Sequence, residues 1–281
     1  MHLALLAARL DREPTVNPPT PAGTHLLRLY DAVATGIAPA AARSVPVRFA
    51  AAARSAARVG APPGAPPGVP LRLVRALRSA AAAAAPSADH LSPIHADLLG
   101  VALAAGAVGA VRALALDRPS HLDADATAVT ATDVQLYYYY CGCVAIAVGR
   151  LDAAAQALTL ALTVPAEVPT VVALAAAKKR ILVGLLADGA STPLPPSMGA
   201  TGGTIIVGSD AYGRVAHAFE AQVGRASVGG LDAVLAAHRA EFAADGNAGL
   251  AASLGPALLR RRVVRLTRTF LTLPLAELAA K

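Results

Sequence analysis

The stretch LYYYYCGCVAIAVGRLDAAAQALTLALTVP, residues 136–165, decides the fold of this 281-residue chain. Two apolar segments of helical length are separated by a glycine and closed by a proline, which indicates a helical hairpin. In a tetratricopeptide repeat, small residues at fixed positions let two helix backbones approach, while bulky residues fill the seam. The corresponding positions here are Tyr138, Gly142, Gly149, Ala154 and Leu158. We expect this hairpin to be one unit of a helical solenoid, because it cannot bury both of its faces alone.

Helix signals continue on both sides of the hairpin. Ser92-Pro93 predicts a helix with Ser92 as its N-cap, and Asp133 predicts the start of the next helix. Residues 60–70 are rich in Pro and Gly and predict a linker. The glycine-rich residues 199–203 predict a loop, because a dinucleotide site would need a strand before the glycines.

The composition favours an all-α protein. Hydrophobic residues make up 55% of the chain, but aromatic residues only 4%, and Trp is absent. The apolar residues are mostly Ala, Leu and Val, and Ala is the strongest helix former. The net charge is +7, and residues 14–88 alone carry eight arginines against one acid, Asp31. The rest of the chain is neutral, which weakens a general nucleic-acid interpretation of the charge.

The sequence contains none of the common catalytic or metal-binding motifs. A G-x4-G-K-[ST] phosphate loop and an H-E-x-x-H zinc pair are both missing. Cys141 and Cys143 are too close for a good disulfide and point to different faces of a helix, so we expect them to pack. His90 and His95 flank a predicted helix start and are expected to cap or pack. We therefore expect no enzyme activity, no catalytic residue, no cofactor and no metal.

A membrane is not expected as a partner. The longest clean apolar run, residues 98–111, is shorter than the ~20 residues that a bilayer span requires.

The C-terminal region contains one strongly amphipathic segment. The spacing predicts an apolar stripe that docks a helix, formed by Leu259, Val263, Leu266 and Phe270. Arginines at 260, 261, 262, 265 and 268 occupy the other side. They are expected to form a solvated face or to meet an acidic partner subunit. The alternative function is that of a basic nucleic-acid-binding helical module.

Four segments carry a resemblance to a known family. They are LSPIHADLLG (91–100), the hairpin of residues 136–165, AAAKKRILVGLLADG (175–189) and LLRRRVVRLTRTFLTLPLAELA (258–279). Together they resemble the third-subunit family of the COP signalosome, a PCI-domain family. The resemblance covers roughly the C-terminal two thirds of the chain, and no match is expected before about residue 88.

The resemblance implies a tetratricopeptide-like helical solenoid that leads into the N-terminal part of a PCI module, a helical layer followed by a winged helix. Members of the family continue past the position of Lys281, so we expect a module truncated at its C-terminus. The implied domains are an Arg-, Ala- and Pro-rich region, partly helical or disordered (1–88), helical repeats (89–188), and a linker with a partial PCI module (189–281).

The resemblance also implies a function. Subunits of this family are non-catalytic scaffolds in a complex that removes a ubiquitin-like modifier from the cullins of ubiquitin ligases, a reaction performed by a different, metal-bearing subunit. The implied partners are other PCI-type subunits and, indirectly, the ubiquitin-ligase machinery, with nucleic acid not favoured. The implied location is the nucleus and the cytoplasm.

Overall fold

The computed structural model describes residues 2–13, 19–61, 68–166, 168–196, 199–223 and 229–269, and in these ranges every regular element is a helix. The all-α class predicted from the composition is therefore confirmed. The helices of the N-terminal half are α1 (His2–Arg12), α2 (Pro21–Gly36), α3 (Pro39–Arg43), α4 (Pro46–Gly60), α5 (Gly68–Ala84), α6 (Pro93–Ala104), α7 (Val108–Leu116), α8 (Ala124–Thr127) and α9 (Ala131–Ala147). The remaining helices are α10 (Leu151–Thr163), α11 (Val171–Ala187), α12 (Gly199–Gly208), α13 (Asp210–Val223), α14 (Gly229–Ala237), α15 (Arg239–Ala244), α16 (Ala248–Ala252) and α17 (Leu254–Thr269).

The chain packs as two compact units, residues 1–153 and 154–281. In the first unit, helices pair with neighbours close in sequence: α1 with α4, α2 with α5, α5 with α6, and α6 with α9. This succession of local pairs is typical of a helical-repeat architecture. The predicted domain boundary after residue 88 lies inside this unit, at the connection between the packed helices α5 and α6.

Alanine sets the packing of the first unit. Ala52, Ala53 and Ala56 on α4 are fully buried, as are Ala76 and Ala80 on α5. Such small side chains allow close helix contacts, and the remaining space is filled by a few large residues. The largest of these fully buried side chains are Tyr30, Phe49, Leu77, Leu99 and Tyr137.

Local capping explains where the central helices begin. Ser92 is the N-cap of α6, and Pro93 is its first residue, as predicted. The N-cap of α9 is Thr130 rather than Asp133. Asp133 is the third residue of that helix and accepts a hydrogen bond from the Thr130 N–H at 3.0 Å, while its own N–H donates to Thr130 Oγ1 at 3.3 Å. The two residues form a capping box, so the helix begins at Ala131, two residues before the predicted start at Asp133.

Gly149 ends α9, as the sequence predicted. Its φ of +74° lies in the left-handed region. The Arg150 N–H donates to the Ala145 carbonyl at 2.8 Å, and the Gly149 N–H donates to the Ile146 carbonyl at 3.0 Å. These are the two hydrogen bonds of a Schellman motif, which favours glycine at this position.

The second unit has its own apolar core. Leu182 and Leu185 on α11 meet Tyr212, Val215 and Phe219 on α13. The remaining large members of the cluster are Leu231, Phe242, Leu254 and Leu258, which belong to α14, α15 and α17. This core holds α11 in a fixed position, which matters because α11 carries the Lys178-Lys179 pair.

The loop predicted at residues 199–203 is wrong, because these residues belong to α12. The helix buries Ile205, which is 1% exposed. At its C-terminal end, a Cβ added to Gly208 would lie 3.0 Å from the side chain of Leu174 on α11. Tertiary packing against α11 therefore overrides the poor helix propensity of a segment with several glycines.

Within the part of the chain that the structure describes, no helix combines the length and the apolar character needed to cross a membrane.

Candidate functional site

The four consecutive tyrosines of α9 wrap around the helix. Tyr137 is fully buried, and its hydroxyl donates to the Leu114 carbonyl at 2.9 Å. Its ring also makes edge contacts with the rings of His95 and Tyr138, with centroid distances of 6.4 Å and 5.4 Å. Tyr138, Tyr139 and Tyr140 are partly buried. The tyrosine run is thus used first of all for packing inside the first unit.

Tyr140 packs on a glycine of the neighbouring helix α6. A Cβ added to Gly100 would lie 3.2 Å from the Tyr140 ring. Glycine at position 100 therefore lets α6 and α9 approach with the tyrosine ring between them. Gly100 is part of the segment LSPIHADLLG, and this contact gives that segment a structural role.

The predicted hairpin residues are placed as follows. Gly142 is buried, Tyr138 is partly buried, and Gly149 has the positive φ given above. Ala154 and Leu158 on α10 are fully buried. The predicted seam joins residues of the two units, and it stays a prediction.

The lysine pair of α11 belongs to a partly buried polar cluster of the second unit. We call it the lysine cluster, and its members are Lys178, Lys179, Tyr212, Glu241, Asp245 and Asn247. Lys178 is 9% exposed, and its Nζ donates to Asp245 Oδ2 at 2.8 Å. The same Nζ lies 3.6 Å from Glu241 Oε1 and 5.3 Å from the centroid of the Tyr212 ring. A buried ammonium group is tolerated only when such partners replace its hydration.

Asparagine and tyrosine complete the lysine cluster. Lys179 Nζ donates to Asn247 Oδ1 at 2.5 Å, and Asn247 Nδ2 donates to the Tyr212 hydroxyl at 2.9 Å. The Tyr212 hydroxyl donates in turn to Asp245 Oδ2 at 2.6 Å. Burial alone would raise the pKa of Asp245, but the hydrogen bonds from Lys178 and Tyr212 outweigh burial and lower it.

A glycine turn brings the two partner side chains to the lysines. Gly246 has a φ of +66°, and the Asn247 N–H donates to the Phe242 carbonyl at 2.7 Å. This Schellman turn reverses the chain between Asp245 and Asn247, so that both side chains reach α11. The sequence pattern Asp-Gly-Asn marks this turn, but no pattern in the sequence links it to the lysines of α11.

Arg180, the next residue of α11, is also a cation that donates hydrogen bonds within the second unit. It is 6% exposed. Its Nε donates to Thr159 Oγ1 at 2.8 Å, and its Nη1 donates to the carbonyls of Thr192 at 2.9 Å and Pro193 at 3.0 Å. The side chain therefore fixes the segment that follows α11. All three cations of the Lys-Lys-Arg sequence serve as internal hydrogen-bond donors.

The structure contradicts one residue of the stripe predicted to dock helix α17. Among the described side chains of this helix, Leu254 and Leu258 are buried, whereas Leu259 is 63% exposed. The prediction that Leu259 docks the helix is wrong, because the buried side begins one residue earlier. Val263 is partly buried, while the side chain of Leu266 and all of Phe270 lie outside the described residues.

Two arginines of the predicted basic face of α17, Arg261 and Arg262, donate to backbone carbonyls of the second unit, and Arg262 Nε does so to Gln222 at 3.3 Å. Arg261 Nη2 donates to the carbonyls of Leu186 at 3.1 Å and Ala187 at 2.6 Å. These carbonyls are at the C-terminal end of α11, where a cation also complements the helix dipole. Arg261 therefore fixes α17 on α11.

An acidic pair in the first unit shares a single arginine. Arg54 on α4 donates to Asp133 Oδ1, and Asp133 is 2% exposed. The Arg54 Nε lies 3.9 Å from Asp97 Oδ2, which is within ion-pair range but beyond hydrogen-bond distance. Asp97 Oδ2 is buried without a hydrogen-bond partner. Burial raises the pKa of Asp97 to about 7, Arg54 opposes this effect, and Asp133 adds to it.

The side chains that could take part in chemistry, such as Cys141 and His95, are buried in the packed structure. Burial raises the pKa of Cys141 to about 12, which keeps it a protonated thiol and a weak nucleophile at neutral pH. His95 caps α6, since the Ser92 N–H donates to its Nδ1 at 3.0 Å. The capping role expected for His95 is confirmed. Over the residues that the structure describes, no group of three or more His, Cys, Asp or Glu side chains could hold a metal ion.

The helices of this chain pack in pairs, and its polar clusters form hydrogen bonds within the chain. This architecture is that of an α-helical repeat protein. A family model described as "COP9 signalosome complex subunit 3, N-terminal helical repeats" matches residues 7–200. The chain therefore belongs to this family of helical-repeat proteins. The resemblance predicted from the tyrosine run and the lysine pair is confirmed.

A curated relative supports the same assignment. The chain is 30% identical over 132 residues to the COP9 signalosome complex subunit 3 of Arabidopsis thaliana. The matched stretch covers 46% of this chain and 30% of the length of that relative. The family match begins at residue 7, so the expectation of no match before about residue 88 is wrong. The Arg-, Ala- and Pro-rich composition of that region hid helices whose apolar spacing follows the same packing rules.

Proposed function

We propose that this protein is a non-catalytic scaffold subunit of a signalosome. The match of the family model over residues 7–200 carries the proposal. The internal use of its polar clusters supports a structural role, because the cations of α11 and Asp133 of α9 already have hydrogen-bond partners within the chain. Its partners would be other PCI-type subunits.

In this role the chain would contribute indirectly to cullin deneddylation. It would position sister subunits, while the hydrolysis of the bond to the ubiquitin-like modifier would occur on a different, metal-bearing subunit. We propose the nucleus and the cytoplasm as its location, as the family resemblance implies. The nucleic-acid-binding alternative is less favoured, because Arg261 of the supposed basic face donates to carbonyls within the chain.

Co-purification with defined identities tests the proposal. The tagged full chain is expressed in the cells of its source, isolated and separated by gel filtration, and each peak is analysed by mass spectrometry and by a cullin deneddylation assay. We expect other PCI-type subunits and the metalloprotease subunit to co-elute with the chain in stoichiometric amounts. A chain that is folded by circular dichroism and elutes alone would contradict the proposal.

A glycine pair gives the matched control. A leucine at Gly100 must displace the Tyr140 ring, whereas a Cβ at Gly109 of α7 meets nothing within 4 Å. Gly100→Leu should therefore reduce the recovery of sister subunits by disturbing the first unit, and Gly109→Leu should leave it unchanged. Equal loss with both variants, or with neither, would contradict a scaffold built on the packing of α6 and α9.

A further inference from the structure

A groove between α2 and α5 in the first unit has no use in the packing described so far. We call it the α2–α5 groove. Its volume is about 230 Å³, and Leu27, Leu73 and Ala76 form its apolar lining. The volume is below the roughly 300–1,000 Å³ of pockets that hold small molecules. It suits one or two side chains inserted from another polypeptide better than a metabolite.

The rim of the α2–α5 groove is basic. Arg28 on α2 and Arg72 on α5 both line it and are exposed, with Asp31 as the acidic residue at the same groove. Arg75, one turn beyond Arg72, is exposed as well. Among the residues that the structure describes, none of these three arginines takes part in a hydrogen bond or ion pair of the kind that Arg54 and Arg58 make.

The segment that contains these arginines is also strongly positive. Asp31 is the only acid between residues 14 and 88, which carry eight arginines. Arg54, Arg58 and Arg78 donate to acceptors inside the unit, so the positive charge that remains for a partner includes the rim of the groove. Two large apolar side chains on the same two helices, Leu29 and Leu71, are 43% and 46% exposed.

We propose that the α2–α5 groove binds an acidic amphipathic helix of a partner protein. Leucine-sized side chains of that helix would enter the apolar lining, and its flanking carboxylates would meet Arg28 and Arg72. A groove between two packed helices accepts a third helix in this way, with apolar anchors at i, i+3 or i+4 and i+7. Arginine forks suit carboxylates because they can donate two parallel hydrogen bonds. A phosphate backbone would satisfy the arginines but would leave the apolar lining empty.

The test measures binding of labelled probes to the full chain by fluorescence anisotropy, so that it requires no signalosome subunit and is independent of the proposed function. The main probe is a fluorescein-labelled peptide of roughly 18 residues, about five helical turns, with Leu at i, i+4 and i+7, Glu at the positions flanking them and Ala elsewhere. Three further probes are the same peptide with Ala for Leu, the same peptide with Lys for Glu, and a single-stranded RNA of similar charge. We expect the Leu/Glu peptide to bind at least about tenfold more tightly than any of them.

Two variants place the binding at the groove. Arg28→Glu combined with Arg72→Glu should weaken binding of the Leu/Glu peptide at least about tenfold, because like charges then face the peptide. Arg112→Glu, an exposed arginine of α7 in the same unit, is the matched control and should leave the affinity within about twofold, since screening limits distant charges. Thr24→Trp, which fills the groove without a change of charge, should weaken binding as well, and circular dichroism verifies that each variant is folded.

The opposite results would overturn the proposal. Equal affinity for the Leu and Ala peptides would mean attraction by charge alone, with no role for the groove. Preferential binding of the RNA would mean a nucleic-acid surface. Equal weakening by Arg112→Glu and by the groove variants, or no binding of the Leu/Glu peptide at low salt, would exclude the α2–α5 groove as a docking site.

Discussion

His95 and Asp97 are two ionisable residues on the first turns of α6. Each should make the free energy of unfolding of the first unit depend on pH, and the two contributions should have opposite signs. Burial lowers the pKa of His95 to about 4 from 6.5, against an opposing hydrogen bond at Ser92. Burial raises the pKa of Asp97 to about 7 from 3.8. Burial therefore favours the neutral forms of both residues in the folded protein between about pH 4 and 7, because removing a charged group from water is unfavourable.

The sign of each contribution follows from proton binding. Between pH 3.8 and about 7 the folded protein holds a proton on Asp97 that the unfolded chain has released, so the free energy of unfolding falls as the pH rises. Between about pH 4 and 6.5 the unfolded chain holds a proton on His95 that the folded protein lacks, so the free energy of unfolding rises with pH.

The two contributions are of similar size. Each tenfold change in proton concentration is worth about 1.4 kcal/mol, so Asp97 accounts for a fall of roughly 4 kcal/mol over its pH range. His95 accounts for a rise of roughly 3 kcal/mol over its own. In the wild-type protein they nearly cancel, and the pair should contribute a net fall of only about 1 kcal/mol between pH 4 and 7.

Replacing either residue should reveal the pH dependence that the other one contributes to the free energy of unfolding. Asp97→Asn keeps the shape but cannot ionise, so its free energy of unfolding should rise with pH relative to the wild type by about 2 kcal/mol or more. His95→Gln can retain the capping box and should show the larger fall with pH. Urea unfolding followed by circular dichroism at constant ionic strength, from pH 4.5 to 8, measures both. Profiles of Asp97→Asn that run parallel to those of the wild type would refute the argument that burial keeps Asp97 neutral.

Three further substitutions test particular contacts, each by the shift of its urea midpoint. Gly100→Leu should destabilise the chain by about 1–3 kcal/mol through overpacking against a tyrosine ring, whereas Gly109→Leu should change it little. Lys178→Met should cost about 1–3 kcal/mol, because it removes the buried donor to the partly buried Asp245 carboxylate, and unchanged stability would contradict a structural lysine cluster. Arg261→Met should cost about 1–2 kcal/mol because two carbonyls at a helix end lose their donor, and the exposed Arg260→Met serves as its control.

Helix ends were the most predictable part of the fold, because the residues that decide them are neighbours in sequence. Ser92 and Gly149 could be identified without any knowledge of tertiary contacts, since capping and left-handed turns depend on a few adjacent residues. The start of α9 was predicted two residues too late, because Asp133 can either open a helix or be the third residue of a capping box. Only the Thr at position 130 distinguishes the two cases.

The errors concern contacts between distant segments. α12 forms in spite of its glycines because Leu174 packs against Gly208, and Leu259 is exposed because α17 presents Leu254 and Leu258 instead. Both depend on the angle at which one helix meets another. A pattern in one segment limits that angle without fixing it. The partners of Lys178 were invisible for the same reason, since Asp245 lies 67 residues away in sequence.

The arginines show why a positive net charge is a weak indication of nucleic-acid binding in an all-α chain. Many short helices leave many C-terminal carbonyls without partners within their own helix, and a long cation from a neighbouring helix can satisfy them. Arg58 donates to the Leu10 carbonyl at 2.6 Å near the end of α1, and Arg261 does the same for α11. Some of the basic residues thus form hydrogen bonds within the fold. Positive charge indicates a partner where it remains unpaired beside an apolar surface. In the described part of the first unit, the α2–α5 groove has both unpaired arginines and an apolar lining.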